Sequence, residues 1–329
     1  MIVLTSSVVG SVIFYPDIQQ LSFLKFFIMY SVFLLPIVFD MRDKLYGYVF
    51  IFTFVLTAFS FLIPDVSELS LFHATENNNM RFRGFFAEAS HLAASLLSLG
   101  LISIIFYRKS PLVVIFVIAV LACVFSFVVS SKGILISITL SLIIYLLTKF
   151  KLTLRGLVYV SKIMFITFAI VYFVVLPEMF RYIEFETLVS FSTRLIGAVA
   201  GVLSIFIYPL GVGFIGFNEA LLTIYSQIVD FKYFSDLNFT EINLYINGYS
   251  DHISTKNFFS DWLVMFGVPG LFFLYYYLKR VWLSSVNTDP LLSFSFITLL
   301  SMLFVFVNST TLYHLPFLLG VIISHAQKR

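Results

Sequence analysis

Ten apolar stretches, most of them close to twenty residues long and most separated by short polar turns, run through this chain. A helix of that length matches the ~30 Å hydrocarbon core of a bilayer, where only helices and closed barrels satisfy their own backbone. The stretches are continuously apolar and do not alternate with period two, which excludes a β-barrel. They fall at 2–14, 21–39, 45–63, 85–106, 111–129, 133–149, 157–176, 258–278, 290–307 and 311–325. Composition points the same way. Charged residues make up 11% of the chain and its mean hydropathy is +1.02, whereas a soluble domain carries roughly 25% charged residues. The expected fold is an all-α, polytopic membrane bundle of about ten spans.

The first stretch is short, but it lacks the basic start and small-residue cleavage site of a signal peptide, so it reads as a span or part of one. No linker, low-complexity tract or internal repeat interrupts the pattern. The chain therefore reads as one integral domain: a helical block 1–176, a large loop 177–257 and a C-terminal block 258–329.

Lys and Arg orient the bundle, because loops on the cytoplasmic side carry an excess of them. If 40–44, 107–110, 149–156, 279–289 and the C-terminal tail are cytoplasmic, that side holds 12 of the 20 basic residues at or beside its loops, but only Asp40, Asp43 and Asp289 of the 17 acidic ones. Both termini are then cytoplasmic, and the loop 177–257 lies outside. Arg81, Glu88, His91, Lys132, Arg194, His252 and His314 all reach the same outer face.

Cys123 is the only cysteine, so no internal disulfide or cysteine metal cluster is possible. The histidines show no HExxH or paired-ligand spacing, and no Gly-x-Ser-x-Gly elbow is present. No metal and no cofactor are expected, and a net charge of +3 gives no reason to expect nucleic acid as a partner.

Four constellations carry chemistry. In Arg81-Phe-Arg83-Gly-Phe-Phe-Ala-Glu88-Ala-Ser-His91, Glu88 and His91 stand three apart on one helix face at a membrane entry. An ionisable residue there is costly and points to function, although a helix-start carboxylate and interfacial arginines are the plainer alternatives. Ser130-Ser131-Lys132-Gly133 places a lone lysine on an outer turn, suited to a phosphate as a point charge. Ser192-Thr193-Arg194 precedes an apolar stretch, 195–207, and the turn Tyr208-Pro-Leu-Gly-Val-Gly213. If 195–207 crossed the membrane, every later loop would change sides, so it reads as a helix lying on or dipping into the outer face. Pro209, Gly211 and Gly213 mark its sharp exit. Finally, Asp251-His252-Ile-Ser254-Thr-Lys256-Asn257 precedes a span carrying Gly267-Val-Pro-Gly270. A histidine at a membrane entry suits general-base work near neutral pH.

In this order the four constellations resemble the bacterial O-antigen polymerase and O-antigen ligase superfamily, polytopic glycosyltransferases with GT-C-like membrane bundles. The family's Arg-x-x-Gly-x-x-x-Glu-Pro-Ser run is matched by Arg81, Gly84, Glu88 and Ser90, with Ala89 in place of the proline. Its Ser-Arg-Gly turn is matched by Ser131-Lys132-Gly133, which keeps the charge without the guanidinium fork. Arg194 precedes Pro209, Leu210, Gly211 and Gly213 as in the family's Pro-Leu-x-Gly-x-Gly turn. His252 and Ser254 precede Gly267 and Gly270 as in its His-x-Ser and Gly-x-x-Gly segments. The resemblance covers roughly residues 80–280. Family members usually carry more N-terminal spans, so the short first segment reads as a truncated or late-started chain.

The resemblance implies a metal-independent transfer at the periplasmic face of the bacterial inner membrane. The donor is a glycan on undecaprenyl diphosphate, and the acceptor is a second glycan. His252, with Glu88 as second choice, would take the acceptor's proton. Arg81, Arg83, Lys132, Arg194 and Lys256 would bind the diphosphate and substrate. Membrane lipid, and a flippase and chain-length regulator of the same pathway, are the expected partners. Polymerase is favoured over ligase because the loop sets Arg181, Arg194, Lys232 and Lys256 against Glu178, Glu184, Glu186, Glu219, Asp230, Asp236, Glu241 and Asp251. That balance suits a neutral glycan better than a polyanionic lipid A-core. A flippase of lipid-linked sugars is the alternative of another class. It would favour internal repeats and mid-membrane charges.

Overall fold

The computed structural model describes residues 40–60, 86, 89–124, 132–149, 189–234, 237–249, 253–286, 289–305, 307 and 314–326. The expected spans 2–14, 21–39 and 157–176, and the candidates Arg81, Arg83, Glu88 and His252, lie outside the described residues. Among the described residues every regular element is helical. In chain order these are α1 (Lys44–Ala58), α2 (Ala89–Tyr107), α3 (Pro111–Cys123), α4 (Lys132–Lys149), α5 (Val189–Ile207), α6 (Phe217–Val229), a short 3₁₀ turn at Lys232–Phe234, α7 (Thr240–Ile246), α8 (Phe258–Val286), α9 (Pro290–Val305) and α10 (Leu315–Ala326). All seven expected spans on described residues are helices. Ser90–Tyr107 and Phe258–Leu283 are long and apolar enough to cross a membrane, and six further apolar helices are shorter. Among the described residues this pattern is consistent with a helical membrane protein.

One boundary differs from expectation. The span expected to end at 278 continues as α8 to Val286, carrying Lys279 and Arg280 on the helix. Long charged side chains are good helix formers, so the helix outlasts the apolar run. Val281 beyond them is buried.

The chain divides into two compact units. One comprises Met1–Tyr30, Leu152–Arg280 and Phe306–Thr310; the other comprises Ser31–Lys151, Val281–Val305 and Thr311–Arg329.

In the second unit α2 is the central helix, packed by α1, α3, α4, α9 and α10. Its sequence is apolar all round apart from His91 and several serines, the signature of a helix with no wet face. Leu92, Leu96, Leu99 and Ile102 are fully buried, and Ser98 and Ser103 bond back to carbonyls four residues earlier. Gly100 admits α3, since a Cβ there would stand 2.8 Å from Leu121 Cδ1. The helices alternate in direction. Met41 N–H donates to Ser324 Oγ at 3.1 Å, Arg108 pairs with Asp289, Phe106 meets the His325 ring edge-on, and Tyr145 meets Phe294 likewise. These contacts gather 40–48, 106–109, 145, 289–294 and 324–325 at one end of the unit. Asp40, Arg42, Asp43, Lys44, Arg108, Lys109 and Asp289 all belong to that end. The segments involved are among those that the Lys and Arg distribution assigns to one side of the membrane. Lys132 begins α4 at the opposite end.

The other unit is built on a helical hairpin, α5 and α6, laid against the first half of α8. The inner stripe of α5 is small: Gly197, Ala200, Gly201 and Ser204. A Cβ on Gly197 would lie 2.2 Å from Thr255 O, and one on Gly201 would lie 2.7 Å from Ser260 Cβ. Contacts advance together along both segments, from 197 on 255 to 201 on 260 and then 209–213 on 264–268, so α5 and α8 run in the same direction. α6 then returns. Phe214 packs edge-on against Phe266, and Tyr225 OH donates to Ser254 O at 3.0 Å. The two legs differ outwardly. α5 exposes Leu195, Val202 and Phe206, whereas α6 exposes Glu219, Thr223, Ser226 and Gln227.

Where the hairpin turns, α8 is broken. Gly267 has φ 54° and ψ −146°, and Pro269 follows it. An unbroken helix would send the Val268 N–H to Val264 O and the residue 269 N–H to Met265 O, but proline has no N–H. The turn repairs the ladder. Val268 N–H donates to Pro209 O (2.8 Å), Val212 N–H to Val264 O (3.1 Å) and Gly213 N–H to Met265 O (2.9 Å). Trp262 Nε1 donates to Gly270 O at 2.9 Å across the same break. A broken helix is tolerated in a membrane protein only when its freed backbone groups find partners in this way.

Candidate functional site

Where the open end of this hairpin meets the start of α8, the polar side chains converge on one carboxylate. Glu241 lies in the first turn of the short helix α7. Ahead of it, Asn238 Oδ1 accepts the Thr240 N–H (3.0 Å), an Asx turn that starts the helix. The Asn238 N–H donates to Ser192 Oγ on α5 at 3.1 Å.

Glu241 Oε1 accepts Tyr245 OH at 2.6 Å and Lys256 Nζ at 2.9 Å; its Oε2 lies 2.9 Å from Thr193 Oγ1. Tyr245 is one turn along α7, Thr193 is on α5, and Lys256 is in the segment entering α8. One side chain thus ties three pieces of chain. The Glu241 and Lys256 side chains are 25% and 22% exposed, so the pair is largely desolvated. Burial raises the pKa of the Glu241 carboxyl. The charge of Lys256 and the hydrogen bonds from Tyr245, Lys256 and Thr193 outweigh it and hold the group below the ordinary glutamate value.

The segment Ile253–Asn257 is fixed from every side. Ser254 O takes Tyr225 OH. Thr255 donates its N–H (3.0 Å) and its Oγ1 proton (2.7 Å) to Asp261 Oδ1, and Asp261 is fully buried. Asn257 caps α8 by accepting the N–H groups of Phe259 (2.9 Å) and Ser260 (3.2 Å). Phe258 N–H donates to Val307 O at 2.8 Å. Within this frame Lys256 has φ 58°, in the left-handed region.

Of the residues expected from the sequence, Arg194 and Lys256 stand in this unit. Arg194 directly follows Thr193 on α5 and is half-buried. Lys256 is not an idle cation, because it is paired with Glu241. His252 immediately precedes the fixed segment and lies outside the described residues, as do Arg81, Arg83 and Glu88. Lys132 belongs to the other unit, where His91 is buried in the first turn of α2.

In the sequence Glu241 counts only as one acid among the loop's charges and Thr193 only as the residue before Arg194, while Tyr245, Tyr225 and Asp261 taken singly carry no mark of a site. The Glu241/Tyr245 pair at i, i+4 was a visible signal. The partnership with Thr193, 48 residues away, was not. The third and fourth constellations are brought together directly: Gly197 sits on Thr255, and the 209–213 turn docks on Gly267.

No known family profile matches the chain, and no solved structure matches it. Over 205 residues the chain is 29% identical to a Klebsiella pneumoniae protein described as "Uncharacterized 49.5 kDa protein in cps region". The match covers 61% of this chain and 46% of that protein, so it spans less than half of the relative's length.

Proposed function

We propose that this protein is a membrane-embedded glycosyltransferase of surface-polysaccharide synthesis. In this reading it joins oligosaccharide units carried on a polyprenyl diphosphate at the outer face of the bacterial cytoplasmic membrane. The observation that carries the reading is the docking of Ser192-Thr193-Arg194, the 209–213 turn, the segment after His252 and the Gly267–Gly270 break into one compact unit. The resemblance gives these pieces a shared chemistry, and they are neighbours in space. The relative from a capsule gene region supports a role in surface polysaccharide.

In this reading α5 and α6 form a re-entrant hairpin. The apolar outer side of α5 faces lipid, and the polar outer side of α6 faces water and glycan. The acceptor hydroxyl attacks the anomeric carbon of the donor. The bond from that carbon to the phosphate oxygen breaks, and the lipid diphosphate leaves with the electron pair. The acceptor's proton goes to His252, or to Glu88 if His252 does not serve. Charge grows on the leaving diphosphate, and guanidinium groups aimed at it in a site of low dielectric stabilise that growth. Arg194 takes this role, and Arg81, Arg83 and Lys132 are the further cations that the resemblance offers for it. Lys256 balances Glu241 and contributes to the site's positive field only in part.

The test is reconstitution of the purified protein in liposomes with a lipid-diphosphate repeat unit and no other enzyme. A ladder of chain lengths supports polymerase, and product formed only on added lipid A-core supports ligase instead. No transfer to either acceptor by folded protein overturns the enzyme reading. Arg194→Ala and His252→Ala should each lower the rate by about 100-fold or more while still inserting in the membrane. If both retain full activity, the site is elsewhere.

A further inference from the structure

Glu241 belongs to none of the four constellations, yet three of the pieces that make up the candidate site hang on its carboxylate. We propose that Glu241 is a positioning residue for glycan transfer: it sets Arg194 on α5 and the segment behind His252 in one fixed relation. The proposal rests on the transferase reading above.

The geometry is specific. Thr193, whose hydroxyl meets Oε2 at 2.9 Å, is the residue before Arg194. Lys256, whose ammonium meets Oε1 at 2.9 Å, is four residues after His252. Between them Tyr245 OH, 2.6 Å from Oε1, keeps the carboxylate from swinging away on its own helix. Tyr245 is 3% exposed, so its hydroxyl has little water to fall back on when the carboxylate is removed, whereas the fully buried Thr193 hydroxyl also lies 2.8 Å from Val189 O in its own helix. The carboxylate also has to be charged to serve all three donors at once, since an amide in its place offers one acceptor atom instead of two. Displacement of a guanidinium or a base by about 1 Å costs roughly 100-fold in rate when the reacting groups depend on alignment. A tie of this kind therefore acts on turnover more than on affinity for the long lipid-linked donor.

The experiment uses the full-length protein in liposomes, with two readouts: steady-state transfer and amide hydrogen exchange across 253–257. Glu241→Gln is expected to lower kcat by about 10-fold or more. The KM for lipid-linked donor should stay within about threefold, and exchange at 253–257 should speed by about 10-fold. Tyr245→Phe removes a single donor and is expected to give the same pattern at about a third of the size, so the idea stays testable if the glutamine variant does not fold. The charge-swapped pair Glu241→Lys with Lys256→Glu should recover protection and rate relative to either single change. Unchanged exchange in Glu241→Gln overturns the tie itself. Faster exchange with unchanged kcat overturns the positioning role. A wild-type protein with protected 253–257 amides that makes no product overturns the transferase reading beneath it, whatever the variants do.

Discussion

Lys256 is held in a conformation that a side-chain-bearing residue avoids. Its φ of 58° costs about 1–2 kcal/mol relative to ordinary backbone, and the bonds around it supply the compensation. The neighbouring Thr255 is locked to Asp261, Asn257 caps α8, and the Lys256 ammonium reaches Glu241. Backbone strain maintained by its surroundings collects at sites where geometry matters. The two contributions can be separated. Lys256→Ala loses the ion pair and keeps the strain, and should destabilise the protein by about 2 kcal/mol. Lys256→Gly loses the same pair but relieves the left-handed penalty, so it should be about 1 kcal/mol more stable than the alanine variant. Thermal unfolding in detergent measures the difference. An alanine variant as stable as the glycine one would mean that position 256 is not strained. None of this was legible beforehand. Lys256 stood out as a charge near a histidine, and nothing in its neighbours announces a left-handed backbone or a partner 15 residues upstream.

At the scale of elements, the broken helix and the turn that repairs it are one object. Both glycine motifs are visible in the sequence, and the turn it predicts at Pro209, Gly211 and Gly213 is present. Their mutual docking was not visible, because backbone pairing between segments this far apart leaves no mark in side-chain pattern. The glycines show why no other residue fits. A Cβ on Gly211 would lie 2.4 Å from Met265 O, and one on Gly267 would lie 2.4 Å from Gly211 N and from Pro209 O. Both also have positive φ, 77° and 54°. Gly248 shares the positive φ, at 73°, but has nothing within 4 Å. Gly248→Ala should therefore cost only about 1 kcal/mol. Gly211→Ala and Gly267→Ala must move backbone as well and should cost more than about 3 kcal/mol. The yield of monodisperse protein in detergent would report this. Equal behaviour of all three variants would mean that the turn does not sit on the break.

For the whole molecule, every expected span that falls on described residues is a helix, as lipid would demand of a continuous apolar stretch, and two of them are long enough to cross a membrane. The charges located one end of a bundle. Residues at 40–44, 107–109, 289 and 325, distant in sequence, meet through the Arg108–Asp289 pair and the Met41–Ser324 hydrogen bond. The division into two compact units left no such trace, since each unit draws on stretches of chain that are separated in sequence. The positive-inside excess predicts which way the bundle would face, and that expectation can be tested directly. With Cys123 replaced by serine, a cysteine at Tyr249, whose side chain is 78% exposed on the loop, should react with a membrane-impermeant maleimide added to intact spheroplasts. A cysteine at Lys109, in the turn between α2 and α3, should react only after the membrane is opened. The reverse pattern would put the hairpin and Glu241 in the cytoplasm. A polyprenyl-linked glycan presented outside the cell membrane could not reach them there, and the proposed transfer would fail on topology alone.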